Sequence, residues 1–260
     1  MWWSIIGLGG SCFVTSTDKK TALKSHQVWA GGELRALCQH DSEAVLRCRG
    51  LEEVHPGVHA LRLEYAPLGD VRSFVRGRGG GAAAPRPEEG VRLRMALDVA
   101  LGLSHVHERG VQHCDLTCRN LFLFDDYRLK IGDFGGSLIR GRDEFESVIF
   151  EESSYELPLR GRDFYGRPAR KRELFALGSA IYELMAWAPP YDGLEDDEIE
   201  TKYAMEAFPP LEGMTAGHII HMCWDESYES SEDVVDALKE TIASRHEVKP
   251  VHGAQQVTLT

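Results

Sequence analysis

The sequence predicts an α+β protein, with a small β-rich part at residues 1–66 and a larger, mostly helical part behind it. Short apolar, β-branched segments broken by glycine and charged residues fill the first part, as strands do. Further on, residues 91–108 and 173–187 are apolar nearly all round, which is typical of buried helices. The longest apolar run, 174–187, is interrupted by Glu183 and is too short to span a bilayer.

The β-rich part is expected to hold strands at 21–24 and 58–64, after an apolar stretch with a glycine cluster at 5–14. Apolar and β-branched residues cluster in these stretches, and glycine or polar residues separate them. Residues 33–46 are the one plausible helix in this part of the chain.

The helical part is expected to begin after a stretch without packed structure. Residues 77–90 are rich in Gly, Ala and Pro, which indicates a mobile surface loop. Residues 129–131 read as a strand. Residues 232–244 place Val235, Leu238 and Ile242 at the spacing of an amphipathic surface helix.

Composition narrows the classes of function. The chain is 43% hydrophobic and 27% charged, which is ordinary for a globular protein. It has 29 basic and 41 acidic residues, a net charge of −12, which argues against binding of nucleic acid or an anionic membrane as the main function. Six cysteines are too few for a disulfide scaffold, and the apolar start lacks the basic residues of a signal peptide. We therefore expect reduced thiols and a cytoplasmic location.

The strongest motif lies between residues 111 and 139. His113, Asp115 and Asn120 form the pattern H-x-D-x-x-x-x-N after a buried helix, and Asp133-Phe134-Gly135 follows a strand thirteen residues beyond the Asn. The two patterns, in this order and spacing, resemble the catalytic loop and DFG motif of protein kinases. The resemblance implies a two-lobed kinase fold, in which Asp115 accepts the proton of a substrate hydroxyl. Asn120 and Asp133 would supply oxygen ligands for Mg²⁺ on the phosphates of ATP.

The resemblance continues upstream in the β-rich part. Residues 7–14 are similar to the glycine-rich loop over ATP, with Gly7, Gly9 and Val14 in place and Cys12 where a third glycine is usual. The stretch TALK ending at Lys24 resembles the strand whose lysine pairs with phosphates, and Glu33 would be the partner of that lysine. Only nine residues separate Lys24 from Glu33, which is shorter than the family pattern.

Residues 61–66 resemble the last strand of the small lobe and the hinge. Leu63 would be the gatekeeper, and the backbone of Glu64 and Ala66 would meet adenine. The resemblance implies that apolar side chains sandwich the adenine ring, as in most such pockets: Val14, Ala22 and Phe122.

Downstream, Glu173 opens a stretch similar to the buried αF helix, and Cys223-Trp224 resembles the CW pair of a later helix. The resemblance covers about residues 5–246 and is greatest to kinase domains common in filamentous fungi. We expect a kinase domain at 1–246, divided after residue 66 into a small lobe with hinge and a large lobe, and a short tail at 247–260.

Four departures from the family pattern bear on function. Cys114 replaces the arginine that receives an activation-loop phosphate, so we predict activity independent of phosphorylation at Ser147, Ser153, Ser154 or Tyr155. The segment YELPL at 155–159 replaces A-P-E, and residues 225–233 lack the arginine that pairs with its glutamate, so that ion pair is expected to be replaced.

The other two departures concern the catalytic loop. Glu173 stands where αF usually has an Asp. Because Glu is one methylene longer than Asp, it is uncertain from the sequence whether Glu173 makes the usual contacts beneath the catalytic loop. Thr117 takes the place of the lysine usual in Ser/Thr kinases, while Arg119 matches an arginine frequent in tyrosine kinases. Arg119 could stabilise the transferred phosphate or form a surface salt bridge.

Three functions remain open at this point. An active protein kinase, with Ser/Thr preferred over Tyr, is favoured because Lys24, Asp115, Asn120 and Asp133 are present. Cys12, the short Lys24–Glu33 spacing and Glu173 keep a pseudokinase scaffold open. A small-molecule phosphotransferase shares the H-x-D-x-x-x-x-N pattern but not the downstream features. Cys114 and Cys118 beside His113 fall short of the four ligands of a structural zinc site.

The charge is concentrated at one end of the chain. Residues 192–260 contain 4 basic and 16 acidic residues, which accounts for the whole net charge of −12. The run EDDEIE at 195–200 leads this region. We expect either a docking surface for a basic protein substrate or a solvated acidic face.

Overall fold

The computed structural model describes residues 4–8, 12–16, 18–26, 44, 60–77, 82–141 and 151–247. The front of the chain forms a four-stranded antiparallel sheet with its strands in sequence order. The strands are β1 (Ser4–Leu8), β2 (Cys12–Ser16), β3 (Thr21–His26) and β4 (Ala60–Glu64). The strands predicted at 21–24 and 58–64 are confirmed over their described residues, and the apolar stretch at 5–14 contributes to β1 and β2. The helix predicted at 33–46 lies outside the described residues except for Ala44, which is helical and buried.

Six α-helices follow this sheet in the described part of the chain. They are α1 (Val71–Arg76), α2 (Glu89–Glu108), α3 (Ala169–Ala186), α4 (Asp196–Ala204), α5 (Gly217–Trp224) and α6 (Ser231–Glu247). Two small two-stranded sheets lie between α2 and α3. One pairs β5 (Val111–Gln112) with β8 (Leu138–Ile139), and the other pairs β6 (Leu121–Leu123) with β7 (Leu129–Ile131).

The core of the large lobe is built around α2 and α3. Helix α2 packs against α6 and α3, and α3 packs against α5. Thirteen of the eighteen α3 residues are buried, because this helix is surrounded by neighbours on nearly every side. Gly178 allows the closest approach: a Cβ at this position would lie 2.6 Å from the Cβ of Cys223 in α5.

The helix predictions are confirmed with longer bounds. Helices α2, α3 and α6 begin earlier than the apolar patterns indicated, because residues outside those patterns, such as Glu89, Arg170 and Ser231, form part of their first turns. The prediction that 77–90 lacks packed structure was wrong at its end. Residues 89 and 90 belong to α2, and the carbonyl of Ala84 accepts a hydrogen bond from Trp187 Nε1 at 3.0 Å. Within the described ranges, no helix is both long and apolar enough to cross a membrane.

Candidate active site

One face of the four-stranded sheet collects the residues predicted to meet a nucleotide. Cross-strand partners point to the same side of a sheet, and so do residues two apart on a strand. The register pairs Gly7 with Val14, Val14 with Lys24, and Ala22 with Leu63. All five residues therefore lie on one face, on which Lys24 and Ala22 are buried.

The hinge, which we define as residues 65–70, fastens this sheet to the large lobe. Leu123 donates its backbone N–H to Gly69 at 2.6 Å, and Leu68 donates to the Leu123 carbonyl at 3.2 Å. These bonds place β6, which carries Phe122, beside the hinge. Ala66 lies in the hinge, and Glu64 pairs with Thr21 at the end of β4.

The two small sheets explain why the two motifs meet. Residues 113–120, which we call the catalytic loop, connect β5 to β6, and Asp133 follows β7. Gly132 donates to the Asn120 carbonyl at 2.9 Å, and His113 Nε2 contacts the Gly132 carbonyl at 2.9 Å. The fold therefore brings the two motifs next to each other.

Asp115 and Asn120 form the centre of the loop. The Asn120 amide nitrogen donates to the Asp115 backbone oxygen at 2.7 Å and to its Oδ2 at 2.8 Å. Because the amide nitrogen is used in this way, the amide oxygen of Asn120 remains as an acceptor. Burial raises the pKa of Asp115, with the Asn120 hydrogen bond opposing that shift.

Lys24 reaches across from the sheet to the second motif. Its Nζ lies 2.7 Å from Asp133 Oδ1, which joins the two lobes through an ion pair. Burial raises the pKa of Asp133, but the charge and hydrogen bond of Lys24 outweigh it, so the net shift is downward. Asp133 has a left-handed backbone, with φ of 59°, and the following Phe134 is buried edge-on against His113.

Glu173 holds the catalytic loop from below. Its Oε1 accepts the backbone N–H of His113 at 2.5 Å and of Cys114 at 3.0 Å, while its Oε2 lies 2.6 Å from His107 Nε2. Burial raises the pKa of Glu173, yet the hydrogen bond from His107 and these backbone donors lower it below the ordinary range. The extra methylene of Glu over Asp thus leaves the loop supported.

Arg119 contacts the activation segment, by which we mean residues 136–162; residues 142–150 of it lie outside the described residues. Arg119 Nε donates to Glu152 Oε2 at 3.3 Å, and the Arg119 side chain is 62% exposed. The surface salt bridge considered from the sequence is therefore present, and the phosphate-stabilising role stays a prediction.

The missing A-P-E ion pair is replaced with its charges exchanged. Arg160 and Arg162 follow the YELPL segment, and both bind Glu226, which lies two residues beyond Trp224. Arg160 also donates to the Trp224 carbonyl at 2.7 Å. The arginine hydrogen bonds, led by Arg162, lower the pKa of Glu226 to about 2. In this chain the acidic residue, Glu226, follows the CW pair, and the basic residues, Arg160 and Arg162, follow the YELPL segment.

Two predicted site residues, Gly9 and Glu33, lie outside the described residues. The predicted partner of Lys24 is therefore not observed. Cys12 begins β2. In the described ranges, no group of three or more His, Cys, Asp or Glu side chains has the arrangement of a metal site, and burial raises the pKa of the Cys114 thiol.

The sequence reasoning missed a buried charge network. Glu183 accepts two hydrogen bonds from Arg72, at 2.5 and 2.7 Å, and one from the Tyr155 hydroxyl at 2.6 Å. Glu183 was visible as the one charge in the apolar run 174–187. A charge in a buried helix needs a partner, and that signal could have prompted a search for one.

Comparison with known proteins agrees with this geometry. The family model described as "Protein kinase domain" matches residues 13–256. Mitogen-activated protein kinase kinase kinase 20 of Arabidopsis thaliana is 32% identical over 157 residues, covering 56% of this chain and 43% of its own length. Serine/threonine/tyrosine-protein kinase HT1 of the same plant is 26% identical over 185 residues, 66% of this chain and 44% of that protein. Tyrosine-protein kinase Fer of Rattus norvegicus is 27% identical over 229 residues, 83% of this chain and 26% of that protein.

The chain spans less than half the length of these relatives. They come from a plant and a rodent, so the narrower resemblance to fungal domains stays a prediction. The family match covers most of the chain, and the two-lobed arrangement, the catalytic loop and the second motif agree with it. The chain belongs to the protein kinase family.

Proposed function

We propose that this protein transfers the γ-phosphate of ATP to a hydroxyl of a protein substrate, with Ser or Thr preferred over Tyr. The observation that carries the proposal is the constellation of Asp115, Asn120, Asp133 and Lys24. Two short hydrogen bonds fix Asp115 to Asn120, and an ion pair fixes Asp133 to Lys24.

Asp115 would accept the proton of the attacking hydroxyl. One of its carboxylate oxygens is held by Asn120, which leaves the other for the substrate. Its raised pKa increases its basicity, so that it is a better proton acceptor than an ordinary Asp.

Asn120 and Asp133 would hold Mg²⁺. The Asn120 amide oxygen remains as an acceptor, and the Asp133 carboxylate is half-exposed with a lowered pKa, which suits the oxygen ligands that this ion prefers. When bound, Mg²⁺ neutralises charge on the phosphate oxygens. Lys24 would provide a second positive charge for the phosphates, and the sheet face with Val14, Ala22 and Leu63 would cover the adenine, opposite Phe122.

The activity would not depend on phosphorylation of the activation segment. Cys114 offers no guanidinium to a phosphate. Ser154 and Tyr155 are buried, and the Tyr155 hydroxyl donates to Glu183, so neither can accept phosphate in this conformation. Ser153 contacts Glu200, and Ser147 lies outside the described residues.

The substrate would be a basic protein that docks on the acidic end of the large lobe. Helix α4 begins with three exposed acidic residues after Glu195: Asp196, Asp197 and Glu198. Opposite charge would steer a basic partner to this face. We place the protein in the cytoplasm, in keeping with the free thiols of Cys114, Cys118 and Cys223.

A pseudokinase scaffold is the second candidate. It is favoured by Cys12 in place of a glycine and by the short spacing of nine residues between Lys24 and Glu33. Such a protein would bind nucleotide without transferring phosphate.

A peptide-array assay with Mg-ATP tests the proposal, with Asp115→Asn as the matched control. The proposal expects phosphorylated Ser or Thr peptides, enriched in basic residues, that are absent with the variant. Nucleotide binding without transfer above Asp115→Asn would support the scaffold instead. Reversing the charges of Asp196, Asp197 and Glu198 should weaken phosphorylation of basic substrates. An unchanged rate of phosphorylation would contradict the proposed docking surface.

A further inference from the structure

Glu152 joins the activation segment to two other parts of the large lobe. Its Oε1 accepts a hydrogen bond from Arg72 Nη1 of α1 at 2.8 Å. Its Oε2 accepts one from Arg119 Nε of the catalytic loop at 3.3 Å. Each oxygen of one carboxylate is thus held by a different guanidinium.

The Arg72 side chain is held in place in the core. Its side chain is 4% exposed, and Glu183, with which it forms two parallel hydrogen bonds, is fully buried. A planar guanidinium bound in this way has little freedom to move. Glu152 is therefore attached to the core of the lobe and not to a flexible surface group.

The same network holds the segment a second time. Tyr155, three residues beyond Glu152, donates its hydroxyl to Glu183 Oε2 at 2.6 Å. The same hydroxyl accepts the backbone N–H of Cys118 at 3.4 Å. Glu152 and Tyr155 thus connect the activation segment to α1, α3 and the catalytic loop through their own side chains, without a phosphate group.

Arg119 keeps most of its hydrogen-bonding capacity. Glu152 engages only the Nε, and among the described residues the two terminal nitrogens have no hydrogen-bond partner. A carboxylate on Nε restricts the rotation of the guanidinium, because the group is planar and rigid. The exposed end of Arg119 is then presented on the loop that carries Asp115.

We infer that Glu152 is a positioning residue, which holds residues 151–155 of the activation segment against the catalytic loop and orients Arg119 toward the bound protein substrate. The inference rests on the proposed kinase function and adds to it the residue that takes over the ordering role of a phosphate. Because Glu152 acts on the side of the protein substrate, its loss should affect turnover and peptide binding while leaving ATP binding unchanged.

The kinetic test compares Glu152→Gln, Glu152→Asp, Arg119→Gln and the double variant, with Asp236→Asn as a control that removes an exposed carboxylate from α6. We expect Glu152→Gln to lower kcat/KM for peptide about tenfold, with the KM for ATP within about twofold of wild type. Glu152→Asp should restore part of the loss, and the double variant should be no worse than its poorer parent. Wild-type kinetics of Glu152→Gln, or additive losses in the double variant, would overturn the inference.

Hydrogen exchange followed by mass spectrometry gives a reading that does not depend on activity. Loss of the Glu152 charge should speed exchange of the backbone N–H groups of residues 151–157 about tenfold, while exchange in β7 stays at the wild-type rate. Equal rates in Glu152→Gln and wild type would refute the positioning role even if the protein transfers no phosphate. If the wild type is inactive but its segment is released by Glu152→Gln, the proposed function fails and the inferred ordering stands.

Discussion

The Glu173 carboxylate accepts the backbone N–H of His113 at 2.5 Å. Through this bond, α3 supports the loop that presents Asp115, although the residue is one methylene longer than the Asp that the family resemblance leads one to expect. The second carboxylate oxygen contacts His107 of α2, so both oxygens of this buried side chain have partners.

Replacing Glu173 should therefore damage both stability and turnover. Glu173→Ala leaves two backbone N–H groups and His107 without their acceptor, and we expect the free energy of unfolding to fall by about 3 kcal/mol. Glu173→Asp should cost less, because one carboxylate still reaches part of the set. Urea denaturation measures the change, with the exposed Glu240→Ala as control. A stability of Glu173→Ala equal to that of the control would contradict this account of the loop.

The exchanged ion pair predicts a dependence on acid. The Glu226 pKa is lowered to about 2 in the folded state, from an ordinary value of 4.5. Its contribution to stability is complete above about pH 4.5 and is lost as the pH falls toward 2. Glu226→Gln should cost about 1 kcal/mol at pH 7, and its melting temperature should converge on that of wild type between pH 5 and pH 3. A difference that stays constant with pH would show that the charge of Glu226 is not involved.

Glu151 predicts a stability that changes with pH in the opposite direction. Its side chain is 6% exposed, and its Oε2 has no hydrogen-bond partner among the described residues. Burial, opposed by Arg172 and Arg167, raises the pKa of Glu151 to about 7.

The folded state thus favours the protonated form of Glu151. Its contribution to stability is complete below pH 4.5 and is lost as the pH rises through 7. Glu151→Gln should gain on wild type in melting temperature between pH 5 and pH 8. A gain that is the same at both pH values would mean that Glu151 ionises normally.

The close contact at Gly178 predicts that α3 and α5 will not accept a larger side chain between them. A methyl group at this position would meet Cys223 Cβ at 2.6 Å and Trp224 Cδ1 at 3.2 Å, so α3 and α5 would have to separate. We expect Gly178→Ala to cost about 2 kcal/mol in unfolding free energy. Gly90→Ala in α2 is the matched control, because its new methyl group would meet only Arg94 Nη1 at 3.9 Å. Equal stability of the two variants would mean that the contact is looser than described.

The sheet face that carries Ala22 and Lys24 was predictable from a local rule, and the catalytic loop from the family resemblance. The period of two along a strand places Ala22 and Lys24 on one face, and the order and spacing of Asp115, Asn120 and Asp133 are highly specific. The contacts that replace family features were not predictable. Glu226 and Arg160 are 66 residues apart, and only the packed fold shows that an absent arginine has been exchanged for a glutamate.

The role of Glu152 was hidden for a similar reason. Its two partners come from α1 and the catalytic loop, so nothing in its own neighbourhood indicates them. Glu183 is the intermediate case: the sequence marks it as a buried charge, but its partner Arg72 is 111 residues away. Long-range pairs of this kind are set by tertiary packing and not by local pattern.

The most direct test of the central claim is the initial rate of phosphate transfer from Mg-ATP by phosphatase-treated protein to a basic protein substrate. The account predicts steady transfer by the wild type without prior phosphorylation, and a rate at least about a hundredfold lower for Asp115→Asn, whose nucleotide affinity is unchanged. Equal rates for the two proteins, or transfer by the wild type only after an upstream kinase has acted on it, would contradict the account.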